Sequence, residues 1–158
     1  MITITQKEVQ NLSSLAKTSP RLRKNKNYHP ELSDTLQRLL NAMEPNTYVQ
    51  PHKHENPDKR EIFVILSGKA LIVEFDEVGN IIEHVILDSN SGTYAVEIPA
   101  RSWHTVLSLE EGTVVFEFKD GPYNATDDKN FATWAPKEGD ADCQTYNNNI
   151  LKQLDIEL

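Results

Sequence analysis

Residues 51–75 read PHKHENPDKREIFVILSGKALIVEF, and their spacing decides how the rest of the chain is read. His52 and His54 stand two residues apart. On a strand such residues project to the same face, so two imidazoles can grip one ion. On a helix they would point roughly 200° apart. A polar loop, ENPDKR, follows and contains Pro57. Glu61 then opens the apolar run EIFVIL, which can return its carboxylate to the level of the histidines. The run stops at Ser67-Gly68, a turn signal.

The same texture continues downstream. ALIVEF (70–75), IIEHVIL (81–87), TYAVEI (93–98), HTVLSL (104–109) and TVVFEF (113–118) are separated by Asp, Asn, Gly and Pro clusters. Their Val, Ile and Phe content suits strands. Turn signals every roughly 8–12 residues are the rhythm of an antiparallel sandwich or barrel. No helical segment alternates with these runs, which argues against a parallel sheet. Upstream, Val9, Leu12, Leu15 and Ala16 fall on one face of a helix over residues 5–18, with Thr5 three residues before Glu8 as a capping box. Residues 19–30 are polar and proline-bounded, and read as a loop or extended arm. Leu32, Leu36, Leu39, Leu40 and Met43 have helical spacing, stopped by Pro45. Residues 121–140 are aromatic but turn-rich, an ordered tail on the barrel, and 149–158 suit a short helix.

Hydrophobic residues form 38% of the 158, enough for one core and one domain. Sixteen Lys and Arg face 24 Asp and Glu, a formal charge of −8. That balance argues against nucleic acid as a partner, because phosphate neutralisation supplies much of such affinity. A local basic run, Lys17, Arg21, Arg23, Lys24 and Lys26, is read as a solvated arm or as an anion-binding element. A single cysteine, Cys143, excludes an internal disulfide and suits a reducing compartment. No signal-like N-terminus and no membrane-length apolar run is present, so the expectation is a cytoplasmic protein without a membrane partner.

Gly92, Pro99 and His104 form a second element: Pro99 marks a break, because it cannot donate in a central ladder, and His104 begins the strand after it. The pattern HxH, six residues, Glu, six residues, Gly resembles the first motif of the cupin superfamily, and GTYAVEIPARSWH resembles the second. The first motif usually has three or four residues before the Glu; here the loop is longer. The second expects glycine where Arg101 stands and often Asn at Ser108. The resemblance implies an all-β fold, the cupin double-stranded β-helix or jelly-roll barrel, with a short N-terminal helix and an ordered C-terminal tail. It divides the chain into an N-terminal helix and arm (1–30), a barrel (31–120) and a packed tail (121–158). It also implies a strand at Leu39–Glu44, against the helical spacing there. All four positions that ligate metal in cupins are present, as His52, His54, Glu61 and His104.

Over residues 21–140 the chain further resembles the WbuC-type cupin-fold metalloproteins, associated with bacterial surface-polysaccharide gene clusters. The tail pattern GPY…DK.FA.WAP.EG carries that narrower likeness. The implied cofactor is one divalent metal ion, with iron, zinc, manganese or nickel all suited to the ligands. The implied partners are a small-molecule substrate and a second copy of the chain in a homodimer. Three functions stay open: a metal-dependent isomerase or epimerase on a sugar or sugar nucleotide, an iron-dependent dioxygenase, and a non-enzymatic binding module. Strand alternation from His52 would turn Gln50 and Tyr48 toward the cavity, and His29 is placed within reach of its mouth. His84 is read as a structural or surface histidine, Trp103 as packing, and Tyr123, Phe131 and Trp134 as tail anchors.

Overall fold

The computed structural model describes residues 1–126 and 128–157; Asp127 and Leu158, which fall within the expected tail and terminal helix, lie outside the described residues. The order of elements is α1 (Gln6–Lys17), β1 (Arg23–Asn27), β2 (Leu36–Met43), β3 (His52–Lys53), β4 (Glu61–Ser67), β5 (Lys69–Phe75), β6 (Ile81–Asp88), β7 (Ala95–Ile98), β8 (Trp103–Ser108), β9 (Thr113–Asp120), β10 (Asn130–Phe131) and α2 (Cys143–Gln153). The strands form two five-stranded sheets, ordered β1-β2-β9-β4-β7 and β10-β3-β8-β5-β6. Every pairing is antiparallel.

The two sheets bury one face each against the other. Met43, Phe63, Ile65, Ile72, Leu87, Val106 and Val115 meet there. Each helix then covers the outer face of one sheet. Val9, Leu12 and Ala16 of α1 pack on Leu40, Ala42 and Val114. Ile150 and Leu151 of α2 pack on Leu71, Val73, Phe75 and Leu107. This layering explains why Ala70–Val73 is a continuous buried run rather than an alternating one. It also resolves the segment before Pro45. Leu40 and Ala42 face α1 while Met43 faces the sheet interior, so an apolar spacing that mimics a helix belongs to a strand buried on both sides.

Thr5 caps α1 as expected, its hydroxyl accepting from the Glu8 backbone N–H. The polar arm contributes an edge strand: β1 pairs with β2 over Arg23–Asn27, which composition alone reads as loop. Its exposed, charged sequence RKNKN is typical of a sheet edge. Gly68 at the β4–β5 turn has φ +70°, and a Cβ there would lie 2.6 Å from the Thr113 hydroxyl, so both conformation and space require glycine. Among the described residues no helix is long and apolar enough to cross a membrane.

Candidate metal centre

The four expected ligands come together. His52 on β3 sits directly opposite His104 on β8, and His54 follows two residues on. Glu61 opens β4 in the facing sheet. The site therefore bridges the sheets, with two imidazoles on strands of one, His54 just past the end of β3, and a carboxylate from the other. One ligand-type atom from each residue lies within 4.8 Å of all the others, and all four residues are buried.

The hydrogen bonds select the ring tautomers. His52 Nδ1 contacts the Gln50 carbonyl at 3.0 Å, His104 Nδ1 the Ser102 carbonyl at 2.9 Å, and His54 Nδ1 the Asp128 carbonyl. A carbonyl only accepts, so each Nδ1 carries the proton and each Nε2 presents a lone pair. The Nε2 atoms of His52 and His54 are buried and have no hydrogen-bond partner. Glu61 Oε2 lies 3.0 Å from His104 Nε2 and 3.4 Å from His54 Nε2. Lone pairs and a carboxylate crowded this way repel unless a cation lies among them, so the donor set fits a divalent ion. Burial, then the charge of Lys129 and the neighbouring His104, hold the His52 imidazole well below its ordinary pKa. Burial raises the Glu61 carboxyl, but in the metal-free site a proton on His104 or His54 Nε2 can stand in for the cation, and its donation holds the group well below the usual range. Neutral imidazole and ionised carboxylate are the forms that ligate.

The long loop between His54 and Glu61 is pinned by Arg101. Its backbone N–H donates to the His54 carbonyl at 3.0 Å, and its guanidinium pairs with Asp58 at 2.9 Å. Arg101 has φ +70°, the left-handed region in which glycine is strain-free. This is the position where the resemblance expects glycine. The strain of a Cβ there, about 1–2 kcal/mol, is offset in part by the exposed Asp58 ion pair, worth at most about 1 kcal/mol.

Sequence reasoning missed the wall beside the ligands. On β9, Glu117 and Lys119 point inward, and both line a cavity of about 530 Å³ shared with His52, Glu61 and His104. Burial, then the neighbouring Glu61 charge, push the Glu117 carboxyl up to about 8. Asn41 donates to it at 3.3 Å. Asp128 is buried between two ammonium groups, Lys59 at 2.7 Å and Lys119 at 2.5 Å. The alternation in TVVFEFKD was the available signal, because Glu117 and Lys119 share a face with Val115. Asp128-Lys129 is the DK of the tail pattern, so residues noted only for likeness belong to the site.

His29 lines the cavity; its Nδ1 accepts from the Arg38 backbone N–H at 3.1 Å. Tyr48 and Gln50 do not line it. Tyr48 donates to the Pro136 carbonyl at 2.6 Å and Gln50 to that of Ala132 at 3.1 Å, so both hold the tail. Residues 48–51 are not a strand, and alternation from His52 therefore does not extend to them. Of the basic run, Arg21, Arg23 and Lys24 line the cavity, whereas Lys17 pairs with Glu111 and Lys26 with Glu8. His84 is exposed on β6. Trp103 donates to Glu77 at 2.8 Å and packs edge-on against Trp134. Trp134 anchors the tail against Phe75, but Tyr123 and Phe131 are exposed, not buried anchors.

The family described as "Domain of unknown function (DUF6016)" matches residues 4–87, and the chain belongs to that family. No curated protein matches it. Solved structures share the fold. KdgF from Halomonas sp. is 17% identical at a TM-score of 0.51, over 69% of this chain and 86% of its own. A cupin superfamily protein from Desulfitobacterium hafniense DCB-2 is 16% identical at 0.52, with the same 69% and 86% coverage. The capsular polysaccharide assembling protein CapF from Staphylococcus aureus is 22% identical at 0.56; 72% of this chain covers 32% of that one. The fold is thus that of the cupins.

Proposed function

We propose that this member of the DUF6016 family is a divalent-metal-binding cupin enzyme acting on a small polar molecule such as a sugar or sugar nucleotide, with isomerase- or epimerase-like chemistry. The observation that carries the metal assignment is the convergence of Nε2 lone pairs from His52, His54 and His104 on the Glu61 carboxylate, each imidazole held by a backbone carbonyl. A bound divalent ion supplies Lewis acidity toward a carbonyl or hydroxyl pair. The chain's own part is to fix the ligands, enclose the substrate and provide proton-bearing groups. A 530 Å³ cavity is of the size that takes a small metabolite. Glu117 is buried on its wall and Lys129 opens onto it, so a carboxyl and an ammonium stand beside the ligand set, which favours an enzyme over a passive binding module.

The sugar assignment rests on the resemblance to the WbuC-type group. CapF supports no more than the fold at 22% identity. The test is metal analysis of protein from its native host, followed by a panel of sugars and sugar nucleotides incubated with loaded protein in D2O. Deuterium incorporation at a carbon-bound position supports isomerase or epimerase chemistry. Loading with metal but no binding or exchange across the panel refutes the substrate class and leaves the metal centre standing.

A further inference from the structure

The chain carries a net charge of −8, yet the described residues lining its cavity include five basic side chains and two acidic ones. Most of these charges are already matched. Arg21 and Arg23 both bind Glu138, at 2.5 and 2.7 Å. Lys119 binds Asp128, and Glu61 faces the histidines. Two cations are left, Lys24 on the exposed edge strand and Lys129 beside the candidate metal centre. Neither forms an ion pair or hydrogen bond with any described residue.

Lys129 is held there rather than placed by chance. Its neighbour Asp128 is clamped by Lys59 and Lys119, and the Asp128 carbonyl also receives His54 Nδ1. On the other side Asn130 donates to the Glu55 carbonyl at 2.9 Å, and β10 pairs with β3 at Asn130↔Lys53 and Phe131↔His52. The backbone is thus pinned on both sides, while the residue stays exposed and lines the cavity. Its ammonium makes no close ion pair, and the carboxylates of Glu61, Glu117 and Asp128 act on it only at longer range. Desolvation by the surrounding protein lowers its pKa, and those carboxylates counter part of that.

We infer that Lys129 is the anion-binding residue of this cavity, and that the ligand is a small molecule bearing a carboxylate or phosphate group seated between Lys129 and the metal ligands. It deepens the proposed function by naming the charge of the substrate, and rests on this cavity being the substrate site. The positioning role falls to Asp128, whose buried ion pairs set both His54 and Lys129.

Calorimetric titration at low ionic strength with malonate and with inorganic phosphate tests this, using wild type, Lys129→Gln and Lys129→Arg, each metal-free and zinc-loaded, with zinc content and Tm measured for all. Saturable binding of at least one anion to wild type is expected. Lys129→Gln should weaken it by about tenfold or more, Lys129→Arg by less than about threefold, with Tm and zinc content unchanged. Stronger binding of malonate or of phosphate identifies the group and supports the proposal. Wild type binding neither anion, or Lys129→Gln binding as wild type does, overturns it. Failure of wild type to load zinc counts against the metal centre, while the metal-free titrations still decide Lys129.

Discussion

The space between the two sheets has a dry half and a polar half, and the same strands build both. Along β9 the inward side chains pass from Val115 to Glu117 and Lys119; along β8 they pass from Val106 to His104. In the dry half Ile72, Leu87 and Val115 are close-packed with almost no exposure. In the polar half the same layer carries His52, Glu61, His104 and Glu117 around a cavity. The difference teaches that stability and chemistry are segregated along the strands rather than assigned to separate elements. A ligand can be removed without opening the core, and a core residue without dispersing the ligands.

Substitutions in the two halves should therefore separate. The largest stability loss is expected from Leu87→Ala in the dry half, about 2–5 kcal/mol by denaturant unfolding of the metal-free protein, with metal stoichiometry intact. Loss of stoichiometry in that variant would show that the halves are coupled. His52→Ala should do the reverse. Its loss of metal affinity should exceed the roughly 10–100-fold carried by outer hydrogen-bond partners, with the metal-free Tm held or raised. A smaller effect, confined to part of the pH scale, is expected at Glu117. Its folded pKa of about 8 lies above the ordinary 4.5, so the folded state binds the proton more tightly. The associated stability of the metal-free protein is complete below 4.5, declines above it and is lost once pH passes about 8. Glu117→Gln should flatten that decline; an unchanged pH profile would mean that Glu117 is not the titrating group. The smallest change is expected for Arg101→Gly, within about 1 kcal/mol of wild type, because relief of a positive φ offsets loss of the Asp58 pair.

Much of the fold was legible because its signals are local. The runs from Glu61 to Phe118 became strands nearly where turn residues bounded them, and Thr5 capped its helix. The arm at Arg23–Asn27 was not legible as a strand, since an edge strand needs few apolar residues and its partner β2 was itself ambiguous. In the site, the ligand quartet was legible from a spacing of two and the family pattern. Glu117, Lys119 and Asp128 were not. Each looks like an ordinary charge near a turn, and each acquires its burial only from neighbours distant in sequence.

A spacing of two made His52 and His54 legible as a pair, although β3 ends at Lys53 and His54 stands just beyond it. Local periodicity and turn chemistry thus reached as far as the strand segments within residues 61–118 and a histidine pair suited to an ion. Which groups meet that pair depended on nonlocal pairing. The β3–β8 register sets His104 opposite His52, the facing sheet brings Glu61 across, and the tail strand β10 delivers Asp128 and Lys129. Alternation specifies the side on which a residue projects, whereas the sheet-to-sheet packing specifies what it meets there. Of the basic lining, Arg21, Arg23 and Lys24 were visible as a run in the sequence, and only the tertiary structure joins them to Lys119 and Lys129 around one cavity.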